Sequence, residues 1–171
     1  MESAEDDPGF AAAVTEGRAL SRSGRSEVAI EHFRRLMERH PDSPRAHFEL
    51  AGAFDSAGLA AEAVAPYRRA MELGLAGEDV PRWYVQFGST LRNVGEVEES
   101  VRLLTEGRDR FPDDAAIRVF RALALQSAGR DRDAVVELID LVLREAGAID
   151  LRGYERAIRA YVAQLRESTD G

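Results

Sequence analysis

The sequence predicts an all-α fold in which helices pair, stack as a solenoid and end in one covering helix. Three observations carry this expectation. Gly24, Gly58, Gly95 and Gly129 recur at intervals of 34, 37 and 34 residues, the scale of a helix-pair repeat. Small residues keep a fixed register to them: Gly17, Ala51, Gly88 and Ala122 stand seven positions before, and Ala29, Ala63, Ser100 and Ala134 five after. Apolar residues on either side recur at helical spacing, and no strand-like alternation is found.

The first pair of helices turns at Gly24 and places Phe33 four residues beyond Ala29. The second, in "FDSAGLAAEAVAPYRRA", turns at Gly58 and places Tyr67 at the same interval after Ala63. Glycine suits such turns because a left-handed helix cap is discouraged for residues with a β-carbon. Small residues near each turn let antiparallel helices approach to the close end of the usual ~8–10 Å. The large residue one turn on then fills the space beside the crossing. The third pair follows the longer connection "LGLAGEDVP". Tyr84, Phe87, Gly88 and Leu91 share one helical face before Gly95, and Val97, Val101, Leu104 and Phe111 share another after it. The fourth pair turns at Gly129, with Leu138 in the space-filling position. Its second helix carries Val135, Val136, Leu138, Ile139, Leu141, Val142 and Leu143, too many apolar residues for one narrow stripe. They require cover from the last helix, whose apolar face is Leu151, Tyr154, Ile158, Tyr161, Val162 and Leu165, with Arg152, Arg156, Arg159 and Arg166 elsewhere. Terminal helices commonly cover the open end of a solenoid.

Composition narrows the function classes. The chain has 171 residues, 44% hydrophobic and 32% charged, with a net charge of −8. That balance disfavours nonspecific nucleic-acid binding, which needs a basic surface. No run approaches the ~18–20 apolar residues of a membrane span, and the acidic start does not read as a secretory signal. The expected location is cytoplasmic. Cysteine is absent, which removes disulfides and thiolate chemistry. All 23 basic residues are arginine, so every side-chain cation is a planar donor suited to bidentate pairing. His32, His40 and His47 lack the partners of a metal site. No nucleophile–histidine–acid set and no phosphate cradle is found. No catalytic residue, metal or cofactor is therefore expected.

These residues together resemble the tetratricopeptide repeat family. The third unit matches its pattern through Tyr84, Phe87, Gly88, Leu91, Ser100, Leu104 and Pro112. The first does so through Gly17, Leu20, Ala29, Phe33 and Pro41, the second through Leu50, Ala51, Phe54, Ala63 and Tyr67, and the fourth through Ala122, Leu125, Ala134 and Leu138. Glu16 and Arg121 depart from it, standing where the family prefers a large apolar residue. The resemblance implies a right-handed α-solenoid of four repeats, 10–43, 44–80 with its longer loop, 81–114 and 115–148. An acidic tail at 1–9, a capping helix at 149–167 and a short tail at 168–171 complete the division. The stretch "FGSTLRNVGEVEESVRLLTEGRDRFPDD" is similar to one branch of small bacterial members, which implies a homodimer without enzymatic chemistry.

The family's leading helices line a concave groove, and the resemblance puts a partner site on them here. The residues are Arg18 and Arg22, Arg45 and Phe48, then Arg82, Gln86, Arg92 and Asn93, with Val119, Leu123, Gln126 and Ser127 in the last repeat. A cationic, partly aromatic groove would favour an acidic protein or peptide through guanidinium contacts. The alternative is that these arginines only pair with Glu49, Asp55 and other neighbours. Trp83 reads either as inter-repeat packing or as an anchor for a partner or a second copy. The expected function is a non-enzymatic protein-interaction scaffold that self-associates. The competing reading is a regulatory domain that binds a small anionic ligand in the same groove.

Overall fold

The structure is a computed structural model, and it describes residues 8–144, 151 and 153–167. Of the tail expected at 1–9, residues 1–7 lie outside the described residues and 8–9 belong to the first helix; the tail at 168–171, the start of the expected capping segment and Arg152 also lie outside the described residues. Among the described residues there are nine α-helices and no strand: α1 (Pro8–Arg22), α2 (Ser26–Arg39), α3 (Pro44–Ser56), α4 (Ala60–Glu72), α5 (Asp79–Asn93), α6 (Val97–Arg110), α7 (Ala115–Ser127), α8 (Asp131–Arg144) and α9 (Glu155–Glu167).

The four periodic glycines are the turns of four helix pairs. Gly58 and Gly95 have φ of +76° and +89°. At the first, Leu59 N–H donates back to the Phe54 carbonyl at 2.9 Å, and at the second Glu96 N–H donates to Leu91 at 2.8 Å. These bonds satisfy carbonyls that a helix end leaves open. Other helices start on polar caps. Ser43 Oγ accepts from Ala46 N–H at 3.2 Å, and Asp114 Oδ1 accepts from Ile117 N–H at 3.0 Å.

Small residues set how closely each pair crosses. A β-carbon on Gly17 would stand 2.3 Å from the Phe33 ring, and one on Gly88 would stand 2.6 Å from Leu104. Ser100 adds a bond across the same crossing, donating to the Gly88 carbonyl at 2.6 Å. Phe33, Tyr67 and Leu104 are buried beside their crossings.

Each helix packs on the next, and successive leading helices also touch: α1 on α3, α3 on α5, and α5 on α7. The leading helices are thus the inner layer of the stack. The core runs along the stack as two apolar clusters. One is centred on Phe10, Phe33, Leu36 and Leu50 and the other on Tyr67, Tyr84, Phe87 and Leu104; Phe54 touches both. Trp83 belongs to the second cluster, and its Nε1 donates to the Tyr67 carbonyl at 2.8 Å, tying α5 to α4.

The C-terminal end departs from expectation. Leu138 lines the cleft between α7 and α8 but is 40% exposed, because no leading helix lies over it as α3, α5 and α7 lie over its equivalents. The inward neighbour is Glu137, buried between Arg118 and Arg121. The covering role expected of the last helix is only partly met. α9 packs on α8 and buries Val162, and Arg166 pairs with Asp140. Val135, Leu138 and Val142 stay exposed, as do Tyr154 and Tyr161 of the predicted apolar face. α9 meets one flank of α8 and leaves open the stripe that faces α7.

Candidate partner-binding groove

The leading helices bring three arginines, Arg18, Arg22 and Arg82, to one cavity of the inner layer, and a fourth, Arg45, stands beside it. Arg18 and Arg22 come from consecutive turns of α1, Arg45 from the first turn of α3 and Arg82 from the first turn of α5. Two carboxylates sit among them. Arg18 Nε donates to Glu49 Oε2 at 3.0 Å, and the Arg18 and Asp79 charges lie 3.5 Å apart. Arg45 approaches Asp79 at 3.4 Å, and Arg82 donates to Asp79 Oδ1 at 2.6 Å. The hydrogen bond to Glu49 is the main influence that raises the Arg18 pKa above its ordinary value. Arg22 is exposed and has no charged partner among the described residues. Among the described residues the cavity's Arg18, Arg22 and Arg82 thus face the carboxylates of Glu49 and Asp79, and the surplus is cationic. The cavity holds about 290 Å³ and is walled by Arg18, Arg22, Ser56, Arg82 and Gln86.

The pairing alternative raised by the sequence is met for Arg18, Arg45 and Arg82, with Glu49 and Asp79 as acceptors. Asp55 takes no part. Asp79 was not among the groove residues expected, although its i,i+3 spacing to Arg82 is visible in the sequence.

A second polar group forms the groove floor between α3 and α5. Asp55 Oδ2 accepts from Thr90 Oγ1 at 2.6 Å and from the Tyr67 hydroxyl at 3.0 Å. Burial raises the Asp55 carboxyl above the usual carboxylate range, and the bonds from Thr90 and Tyr67 partly pull it back. The Tyr67 hydroxyl lies 3.3 Å from Gln86 Oε1. Burial, then the Asp55 charge, push the Tyr67 phenol far up, so it stays protonated as a donor. Gln86 and Asn93 line the cavity above this floor, about 330 Å³ in volume. Arg92 turns to Asn93, donating to its Oδ1 at 3.3 Å. Sequence reasoning missed Thr90 and Tyr67 as parts of this floor because both are ordinary core positions of their helices.

Phe48, expected as a groove contact, and Trp83, read either as inter-repeat packing or as an anchor, are both buried. Phe48 is 1% exposed and Trp83 is 5% exposed. Phe48 packs in the main core with the Arg82 guanidinium 5.3 Å over its ring. Trp83 stacks near Tyr84 and Phe87. Buried aromatic rings between repeats hold the stack and offer little area to a partner. Two of the three histidines are tied to backbone, His32 Nε2 donating to the Ala13 carbonyl at 2.7 Å and His47 Nε2 to that of Pro41 at 2.8 Å, while the His40 ring lies edge-on to Phe10. Among the described residues no three metal-ligating side chains gather, and no helix is long and apolar enough to cross a membrane.

A family model for the tetratrico peptide repeat matches residues 44–165, and a further tetratricopeptide repeat model matches residues 10–53. No curated protein matches the sequence. Several solved structures share the fold. A protein of nearly identical TPR-like repeats from Podosopora anserina is 18% identical, with 95% of this chain and 94% of its own covered and a TM-score of 0.73. MamA from Desulfovibrio magneticus RS-1 is 15% identical, with 96% and 99% covered and a TM-score of 0.66. YrrB, a TPR protein with an unusual peptide-binding site, is 11% identical, with 92% and 86% covered and a TM-score of 0.59.

Proposed function

Because this chain belongs to the tetratricopeptide repeat family, whose members mediate protein–protein interaction, we propose that it is a non-enzymatic scaffold holding an anionic segment of a partner protein in its inner groove. The observation that carries the reading is the surplus of guanidinium groups around the α1–α3–α5 cavity, with Arg22 exposed and unpaired among the described residues. Low-dielectric walls focus this local field even though the molecule as a whole is acidic. A hydrogen bond to a charged group contributes about 1.5–3 kcal/mol when desolvated.

The test is the double variant Arg22→Glu, Arg82→Glu in a pull-down from the native cell, with Arg34→Glu, Arg69→Glu on trailing helices as control. Loss of two such bonds weakens binding by about a hundredfold or more. The groove variant should lose the partner and keep its helicity, and the control should keep both. If the control loses the partner and the groove variant retains it, binding is on the outer face. A thermal-shift screen separates a peptide from a small anion as occupant, since whichever binds the folded state raises the melting temperature.

A second reading, self-association, is favoured by Tyr161 of α9 and Tyr154 just before it, 65% and 66% exposed. Tyrosine is enriched at interfaces. Sedimentation should then show a dimer that Tyr154→Ser, Tyr161→Ser converts to a monomer. A wild-type monomer at high concentration removes this reading and leaves the groove untouched.

A further inference from the structure

We propose that the groove takes an extended peptide that presents an acidic side chain at the α1 end and an aliphatic side chain about eight residues away at the α7–α8 end. The inference rests on the groove reading above and adds a second, apolar subsite and a spacing to it.

Repeat register shows how the inner surface changes along the stack. The position six residues before each periodic glycine is Arg18, Gly52, Ser89 and then Leu123. The position two residues before is Arg22, Ser56, Asn93 and Ser127. Both positions pass from cationic to small and polar, and the first of them ends apolar at Leu123.

The middle of this path is open for a backbone. Gly17 and Gly88 are glycines because the neighbouring helix leaves no room for a β-carbon. Gly52 is different: a β-carbon there would meet only Gln86 Oε1, at 3.7 Å. Helix packing does not require this glycine, and its missing side chain leaves space above the groove floor, where close backbone approach is possible. Both protein donors to Asp55 use Oδ2, which leaves Oδ1 to accept from a peptide N–H.

The far end is an apolar cleft of about 360 Å³ lined by Val119, Leu123, Ala134, Val135 and Leu138. At the three earlier junctions the counterparts of Leu138 are Phe33, Tyr67 and Leu104, each 1% exposed or less. The last repeat alone keeps this surface open, with Leu123 and Leu138 both 40% exposed. From the α1 end of the arginine cavity to this cleft is about three leading-helix spacings, on the order of 27 Å. An extended chain covers that in about eight residues. Opposite chemistry at the two ends commits the occupant to an acidic–aliphatic segment, since an all-acidic or all-apolar peptide would satisfy one end only.

The experiment is selection from a display library of random twelve-residue peptides on the full chain. Enriched peptides should pair Asp or Glu with Leu, Ile, Val or Met at a separation of about eight residues. On Leu123→Glu the aliphatic preference should vanish while the acidic one persists, and the best peptide should weaken at least about tenfold. Leu123→Ser is the second variant if the charge perturbs folding. Acidic enrichment with no aliphatic residue at a fixed distance overturns the inference and leaves the groove reading standing. No enrichment, or enrichment indifferent to Arg22→Glu, Arg82→Glu, overturns both. A wild-type dimer that Leu123→Glu makes monomeric, with peptide selection unchanged, shows instead that a second copy fills the cleft.

Discussion

Glycine has three distinct uses here, and single substitutions separate them. Gly88 is a packing residue, since a β-carbon would lie 2.6 Å from Leu104. Gly88→Ala should cost about 1–3 kcal/mol through overpacking. Gly58 is a conformational residue with open space around it, so Gly58→Val should destabilise through backbone strain alone, by roughly 1 kcal/mol or more. Gly52 is neither, and Gly52→Ala should be neutral or stabilising by up to about 1 kcal/mol from helix propensity. Urea unfolding of the three variants checks the order; a Gly88→Ala protein as stable as wild type would mean α5 and α6 do not cross there. Asp55 supplies a pH signature. Its folded-state pKa is raised above the ordinary 3.8, chiefly by burial. The folded protein then holds the proton more tightly than the unfolded chain. That contribution is complete below the unfolded value and is lost as pH rises through the folded one. Asp55→Asn should therefore gain on wild type as pH rises from about 4 towards neutrality. Parallel urea midpoints across that range would show no such gain if Asp55 were well solvated.

At the scale of elements, the helix pairs were legible because their signals are local. A positive-φ glycine, a small residue at a crossing and a large residue one turn on need only one chain and one register. The groove was legible in part. Arg18, Arg22, Arg45, Arg82, Gln86 and Asn93 do line the inner layer, since leading helices face inward throughout. Phe48 is more covered than a groove contact needs, because a helical face alone does not say how far the next repeat covers it, and the same cover gives Trp83 the packing role that was one of its two readings. The fourth repeat was least legible. Arg121, a departure from the apolar pattern, is satisfied by Glu137 at 2.6 Å and by Thr105 at 2.9 Å, and Arg118 also reaches Glu137 at 2.7 Å. A charge network crossing from α6 through α7 to α8 replaces the apolar contact. Removing Glu137 leaves Arg118 and Arg121 without their shared partner, and takes from Arg108 a carboxylate 3.8 Å away, in a site where Arg118 and Glu137 side chains are each 7% exposed. Glu137→Ala should cost about 3–5 kcal/mol, whereas apolar replacement of Arg118, Arg121 and Glu137 together should cost far less. Thermal melts of the single and triple variants decide this. A single variant milder than the triple would show the network to be well hydrated.

Over the whole molecule, stability is a sum of neighbouring contacts rather than the property of one centre. Helices touch the next helix or the next but one, and the core is two apolar clusters arranged along the stack. In such a stack a change at one end is felt mainly by its neighbour. α9 meets α8, buries Val162 and pairs through Arg166 with Asp140. It leaves Val135, Leu138 and Val142 exposed, so it stabilises one flank of α8 without closing the end. Deleting residues from 151 onward should accordingly expose that flank, shorten amide-exchange protection in α8 and then in α7, and leave α1 to α4 at wild-type protection. Local opening is expected to lie closest to the removed contact, since exchange reads the free energy of each cooperative unit. The newly bared flank adjoins an apolar stripe that is already open, so the truncated chain should also bind more of a hydrophobic dye and aggregate at lower concentration. Hydrogen exchange measured helix by helix distinguishes the cases. An equal loss of protection from α1 to α8 would mean the chain unfolds as one cooperative body, and unchanged protection in α8 would mean that α9 contributes nothing to the end of the stack.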